Sequence, residues 1–172
     1  MHTTLVLTLI GDDRPGLVET LSRAIGEHQG NWLESSMAHL AGKFAGILRV
    51  SVPADQAAAL QATLGSLPAL KVIAEAAPET PASRPGRRLR FTLVGQDRIG
   101  IVREVAAVLA RHGVNVEELV TRTESAPMSG ETLFHASAEL LAAPTLDPLA
   151  LQRDLEDISH ELMVDINLEP AE

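Results

Sequence analysis

The sequence predicts an α+β protein built from two copies of one small β-α-β-β-α-β domain. Three observations lead to this prediction. The sequence TLIGDDRPGLV at 8–18 returns as TLVGQDRIGIV at 92–102. A segment rich in proline lies between the two copies. In each copy, residues that alternate like a half-buried strand are followed by apolar residues at the spacing of an amphipathic helix.

The internal repeat predicts the domain organisation. Ten of the 28 residues from 7 to 34 are identical to the residue 84 positions later, without a gap. A repeat of this length is a duplicated supersecondary unit. Three prolines and a glycine at 77–87 favour an extended connection. We therefore expect a first domain at 1–76, a linker at 77–87 and a second domain at 88–172.

Each copy begins with a strand that runs through a turn into a helix. Residues 5–10 and 89–94 alternate as strands with a buried face. Pro15 is typical of a first helical turn, so we expect it to open the first helix. The helices are indicated by apolar stripes at Leu17, Leu21 and Ile25, and at Ile101, Val105 and Leu109.

A hairpin, a second helix and a last strand complete each copy. The second helix is expected at 54–64 in the first copy. In the second copy Asp147 is a good N-cap and Pro148 a good first helical residue. The last strands are expected at 70–74 and 162–168. This order is the ferredoxin-like fold, an antiparallel four-stranded sheet with both helices on one face.

The opposite face of the first sheet is predicted to need a cover. Val6, Thr8 and Ile10 would lie on it, which is more apolar than an exposed face usually is. We expect the other half or another chain to cover this face, and a homodimer is the simplest arrangement.

Composition argues against several classes of protein. The net charge is −9, and the only gathered cations are Arg84, Arg87, Arg88 and Arg90 at the junction, so direct nucleic-acid binding is not expected. The chain has no cysteine and no histidine pair at metal-ligand spacing, and no nucleophile or phosphate-loop motif. We expect no enzyme activity, metal or cofactor. No signal peptide or membrane span is indicated, so a soluble cytoplasmic protein is expected.

The repeated strand-to-helix corner is the candidate site. A first helical turn has N–H groups without helical partners, which attract anions such as a carboxylate. Gly16 and Gly100 leave the main chain accessible. Asp13 and Asp97 place a negative group beside these N–H groups, which suits an α-amino acid because it carries a carboxylate and an ammonium on one carbon.

The same residues also have a purely structural explanation. An aspartate before a helix is most often an N-cap, and a glycine at a corner often serves only the turn. Arg14 and Arg98 can pair with surface acids. Both explanations stay open at this point.

The corner sequence GDDRPGLV, the later Gly30-Asn31 and the βαββαβ order resemble the ACT domain. A tandem pair with little else is similar to the glycine cleavage system transcriptional repressor family. This resemblance implies amino-acid binding at an interface between domains, held by the main chain of the corner and an asparagine at the start of the second strand. The candidate ligand-binding residues are Gly11, Asp12, Asp13, Arg14, Gly16, Leu17 and Asn31, and in the second copy Gly95, Gln96, Asp97, Arg98, Gly100, Ile101 and Asn115.

The resemblance further implies a non-catalytic regulator that binds a small amino acid, namely glycine, and contacts a transcription factor. Gln96 replaces Asp12 and Ile99 replaces Pro15, so we expect the two copies to differ in affinity. Two alternatives remain. One is an ACT adaptor or oligomerisation module without ligand. The other is a regulatory relative of the N-terminal domain of formyltetrahydrofolate hydrolases.

Overall fold

The computed structural model of the chain describes residues 1–78 and 82–172. Contacts divide them into two compact units, Met1–Ala82 and Ser83–Glu172. The linker bounds, 77–87, stay a prediction: residue 77 ends one strand, residue 87 begins another, and residues 79–81 lie outside the described residues. Within the described residues, no helix combines the length and apolar character needed to cross a membrane.

Both units have the predicted order and an antiparallel sheet with the same topology. The first unit consists of β1 (His2–Asp12), α1 (Leu17–Glu27), β2 (Asn31–Leu40), β3 (Lys43–Pro53), α2 (Ala57–Gly65) and β4 (Lys71–Ala77), in the sheet order β2-β3-β1-β4. The second unit consists of β5 (Arg87–Gln96), α3 (Ile101–Arg111), β6 (Val114–Ser125), β7 (Thr132–Ala142), α4 (Pro148–Leu162) and β8 (Val164–Pro170), in the order β6-β7-β5-β8. The predicted tandem ferredoxin-like fold is confirmed.

Each core lies between one face of the sheet and both helices. In the first unit alternate residues of β1 are buried together with the apolar stripes of the two helices: Leu5, Leu7, Leu9, Leu17, Leu21, Ile25, Leu60 and Leu64. The second core repeats this pattern around Leu89, Phe91 and Leu93. Burying one such side chain contributes about 1.5–3 kcal/mol. The helices therefore cover one face only, as predicted.

The other face of the first sheet carries exposed isoleucines. Ile10, Ile47 and Ile73 are 46%, 55% and 57% exposed. Ile47 and Ile73 lie on the two strands that flank β1, both beside Thr8. The three isoleucines form an exposed strip across three adjacent strands, with Thr8 between Ile47 and Ile73, and the cover of this face stays a prediction.

The first helix of each unit begins directly after a glycine in the left-handed region. Gly16 has φ 91° and Gly100 has φ 97°, and neither helix has a side-chain N-cap. The prediction that Pro15 forms the first helical turn is wrong, because the helix begins at Leu17 and Pro15 lies in the turn. Only glycine adopts this φ without steric cost, so the turn needs a glycine here.

The second helices differ from prediction at their ends. Asp147 caps α4 as predicted, accepting from the N–H groups of Leu149 and Ala150 at 3.1 and 3.2 Å. The helix then continues to Leu162, and Met163 takes a left-handed conformation at φ 53°. The last strand consequently begins at 164 instead of 162. In the first unit α2 begins at 57 instead of 54.

A histidine at the end of the first helix links the two helices of each unit. The His28 ring donates from Nδ1 to the Ala24 carbonyl oxygen at 2.8 Å, and the Thr63 hydroxyl on α2 donates to its Nε2 at 3.2 Å. In the second unit His112 Nε2 donates to Asp154 Oδ2 on α4 at 2.7 Å. The repetition of these histidines therefore has a structural cause.

We expect Gly16→Ala to destabilise the first unit by about 1–2 kcal/mol, because the new Cβ would occupy a left-handed backbone. Gly26→Ala is the matched control. Gly26 lies inside α1 with open space at its Cα, so alanine there should stabilise by about 0.5–1 kcal/mol. Urea unfolding followed by fluorescence of Trp32, the only tryptophan, reports on this unit. Equal stability of the two variants would contradict the turn argument.

The His112–Asp154 contact predicts an acid-dependent stability of the second unit. The hydrogen bond from His112 is the main cause that lowers the pKa of Asp154 below its ordinary value of 3.8. Its contribution is therefore present above that value and lost as the pH falls through the lowered pKa. Asp154→Asn should reduce the urea midpoint of α4 amide NMR signals at about pH 6, and this loss should shrink as the pH falls below 3.8. Asp157→Asn, exposed on the same helix, serves as the control; a loss that does not change with pH would contradict this assignment.

Candidate functional site

The first corner leaves the N–H groups at the start of α1 without helical partners. The Asp13 N–H donates to the Gly42 carbonyl oxygen at 2.9 Å, which fastens the corner to the β2–β3 turn. The first helical bond runs from the Thr20 N–H to the Gly16 carbonyl oxygen at 2.9 Å. The N–H groups of 17–19 precede it and have no acceptor within the helix. They form a patch of partial positive charge.

The second corner has the same backbone arrangement. The Asp97 N–H donates to the Thr132 carbonyl oxygen at 2.8 Å, at the start of β7. The Glu104 N–H donates to the Gly100 carbonyl oxygen at 2.9 Å. Ile99 carries a backbone N–H that Pro15 lacks, so the second corner offers one more donor.

The space in front of both corner glycines is open. A Cβ placed on Gly16 would have no heavy atom within 4 Å, and one placed on Gly100 would meet only Arg103 Nη2, at 3.6 Å. A ligand can therefore reach the main chain. The positive φ of these residues already requires glycine, so their residue type alone does not point to a ligand.

The remaining glycines and apolar residues of the candidate set serve packing. A Cβ on Gly11 would overlap the carbonyl oxygen of Ala69, and one on Gly95 would overlap the side chain of Val164. The side chains of Leu17 and Ile101 are buried in the two cores. Only the main chain of these four candidates can face a ligand.

Two acids of the first corner have different partners. The Lys43 ammonium donates to Asp12 Oδ1, and this bond and its charge lower the pKa of Asp12. Asp13 Oδ2 lies 3.5 Å from His39 Nε2, and the Asp13 side chain is 39% exposed. The Asp13 carboxylate is therefore more available to a ligand than the Asp12 carboxylate, which accepts a hydrogen bond from Lys43. Sequence reasoning missed Lys43 and His39, because the register between β1 and β3, which places Lys43 beside Asp12, is not contained in the residue pattern.

The second corner has a different charge pattern. Gln96 pairs with Leu133 in the sheet, so the Asp12–Lys43 contact has no counterpart here. Arg98 Nη1 donates to the Leu162 carbonyl oxygen at 3.1 Å, at the last residue of α4. This contact fits the structural explanation of that arginine. Arg14 is exposed and contributes a weak lowering of the Asp12 pKa.

The two asparagines lie at the opposite end of each sheet from the corners. Asn31 is beside Ser51, which is beside Thr4 on β1, whereas Asp12 is eight residues further along β1. At about 3.3 Å per residue this separation is roughly 26 Å. Asn115 has the same relation to the second corner, through Leu141 and Arg88. One unit by itself does not bring corner and asparagine together.

Among the described residues, no group of three or more histidine, aspartate or glutamate side chains has the geometry to hold a metal ion. The candidate site in each unit therefore consists of main-chain N–H groups, an aspartate and the open space beside the corner glycine. This arrangement can bind a small molecule that carries a negative and a positive group. It holds no nucleophile that is hydrogen-bonded to a general base.

Comparisons with known proteins agree with this fold. Residues 3–71 match the family model of the ACT domain. The glycine cleavage system transcriptional repressor of Escherichia coli (strain K12) is 23% identical over 161 residues, which cover 92% of this chain and 85% of the relative. The crystal structure of an unknown protein from Galdieria sulphuraria has a TM-score of 0.89 and 33% identity, with each chain covered completely.

A second crystal structure shares the tandem fold. Its name assigns it provisionally to the glycine cleavage system transcriptional repressors. The TM-score is 0.68 at 18% identity, and 98% of this chain and 97% of that chain are covered. The two units share one topology and repeat the same corner, residues 3–71 of the first unit match the ACT domain, and the chain as a whole resembles the glycine cleavage system transcriptional repressor.

Proposed function

We propose that the protein is a non-catalytic regulator that binds a small amino acid at its strand-to-helix corners and thereby changes its contact with a transcription factor. The similarity to the Escherichia coli glycine cleavage system transcriptional repressor supports the regulatory part of this proposal. The ligand is glycine by resemblance. The observation that carries the proposal is the open space at Gly16 beside uncapped N–H groups and an accessible aspartate.

The chemistry of the first corner suits a zwitterion. The ligand carboxylate would accept from the N–H groups of 17–19, where the helix dipole favours negative charge. The ligand ammonium would lie against Asp13, because Asp12 is bonded to Lys43. A phosphate would be repelled by both acids. The charges of an α-amino acid are close enough together to use both parts of the corner.

We propose that the asparagines act on a ligand held by a second copy of the chain. Each asparagine is too far from the corner of its own unit to touch the same small molecule. The exposed strip of Ile10, Ile47 and Ile73 supports an association surface on the first unit. A homodimer would cover the isoleucine strip and would bring an asparagine of one copy to the ligand of the other.

A protein without ligand is the second candidate. It is favoured by the positive φ of Gly16 and Gly100, which explains both glycines without a ligand. In that case the repeated aspartates would be surface residues, and the protein would act as an adaptor through its exposed faces. The two candidates differ in whether any amino acid binds.

Titration of the full chain with the common amino acids tests the proposal. We expect glycine to release or absorb heat in calorimetry, and Asp13→Ala to weaken that binding at least about tenfold because the ammonium loses its counter-charge. Asp97→Ala measures how much the second corner contributes to amino-acid binding. Asp157→Ala, exposed on α4, is the control that should leave binding unchanged. If no amino acid gave heat or a thermal shift, amino-acid binding would be contradicted and the adaptor without ligand would be supported.

Capture experiments test the regulatory part separately. We expect the immobilised full chain to retain a DNA-binding regulator from cell extract, in an amount that changes when glycine is added. Asp13→Ala should retain the regulator but lose the response to glycine, because the corner senses and other surfaces bind. Mass spectrometry identifies and quantifies the captured protein. A glycine response that persists in the Asp13→Ala, Asp97→Ala double variant would refute sensing at the corners.

A further inference from the structure

A groove of about 260 Å³ lies in the second unit between α4 and the edge strand β8, and we call it the α4–β8 groove. Its floor is apolar and includes Leu89, Leu151 and Leu155. Arg87 lines one end, and Glu156 lines the part further along the helix. None of the corner residues lines it. Pockets for drug-sized ligands are about 300–1,000 Å³, so this volume suits a smaller metabolite.

The corresponding place in the first unit is crossed by a side chain. The sequence LQATL at 60–64 on α2 corresponds to LQRDL at 151–155 on α4, because Thr63 and Asp154 contact the equivalent histidines. Gln61 Nε2 donates to the Ala74 carbonyl oxygen on β4 at 3.4 Å. This glutamine therefore spans the space between helix and edge strand in the first unit.

The equivalent glutamine of the second unit is held away from the edge strand. Gln152 Nε2 donates to Glu156 Oε1, one turn along the same helix, at 3.0 Å. The first unit has Gly65 where the second has Glu156, so Gln61 has no such acceptor. Ala74 lies beside Leu7, and Leu168 lies beside Phe91, the residue 84 positions after Leu7. The carbonyl of Leu168 therefore corresponds to that of Ala74. The Gln152–Glu156 bond thus leaves the α4–β8 groove open.

The end of the groove carries Arg87, a cation that has no ion-pair partner among the described residues. Arg88 and Arg90, on the same strand, contact Glu117 and Glu139 at 2.7 and 3.2 Å. Arg87 makes no ion pair within 4.0 Å to any residue that the structure describes. A guanidinium next to an apolar floor is a suitable partner for a carboxylate with an aliphatic chain.

We propose that the α4–β8 groove binds a small aliphatic monocarboxylate. The carboxylate contacts Arg87, the chain lies on the leucine floor, and the Gln152–Glu156 hydrogen bond keeps the groove accessible. Glu156 and Glu169 on its walls disfavour a second negative group, which selects against dicarboxylates. This site is independent of the proposed amino-acid site at the corners.

NMR titration of the ¹⁵N-labelled full chain with hexanoate tests the proposal. We expect hexanoate to shift the amide signals of Leu89, Leu155 and Leu168. Acetate, with the charge but no chain, and hexylamine, with the chain but the opposite charge, should bind at least about tenfold more weakly. Equal binding of hexylamine, or no shift at these residues with hexanoate, would overturn the site.

Two pairs of variants test the named residues. Arg87→Gln should weaken hexanoate binding about tenfold, whereas Arg103→Gln, an exposed arginine on α3, should not change it. Glu156→Ala has two opposite effects on hexanoate binding. Removing the negative charge should strengthen the binding, but it also releases Gln152, which can then donate to the Leu168 carbonyl oxygen and close the groove. We expect the second effect to dominate and the binding to become weaker, and Glu161→Ala is the control. Tighter or unchanged binding in Glu156→Ala, or unchanged binding in Arg87→Gln, would overturn the proposal. Asp13→Ala should still bind hexanoate, which separates this test from the corner site.

Discussion

The sharp reversal from the first strand into the first helix is the constraint on which each unit depends. The chain must leave β1 or β5 and return across the same sheet face within four residues. The left-handed φ of Gly16 and Gly100 makes this reversal possible. The sheet end packs tightly because Gly11 closely approaches Ala69, just before β4, and Gly95 closely approaches Val164, the first residue of β8. The uncapped helix start, and hence the candidate site, is a consequence of that geometry.

Repetition within the chain is therefore weaker support for a ligand than it first appears. The four glycines are explained by backbone conformation and packing, and the repeated histidines by the contact between two helices. Asp13 and Asp97 are different, because neither caps its helix and the fold does not require their carboxylates. The case for amino-acid binding rests on these aspartates and the open space beside them, more than on the glycines.

Periodicity and the repeat were sufficient to predict the fold, because alternation and helical spacing are set by local geometry. The ends of helices and strands were harder to predict from the sequence. The helix start moved from Pro15 to Leu17 because the turn adopts a glycine conformation instead of a proline-led first turn, and α4 continued through Leu162 because Met163 accepts a left-handed cap. The distance between Asn31 and its corner depends on strand register. The α4–β8 groove is open because Gln152 donates to Glu156 and not to the edge strand. Residue patterns do not contain that tertiary information.

The differences between the units are as informative as their likeness. A duplicated domain needs its core and its corner in both copies to fold, but its surface charges and second helix are free to diverge. The first unit keeps an Asp12–Lys43 contact at its corner and a glutamine across the helix–strand gap. The second unit has no such charge pair and has Glu156 where the first has Gly65, and the equivalent glutamine donates to this glutamate along its helix. Because one hydrogen-bond acceptor decides whether the glutamine reaches the edge strand, a single substitution separates a bridged gap from an open groove without altering the fold.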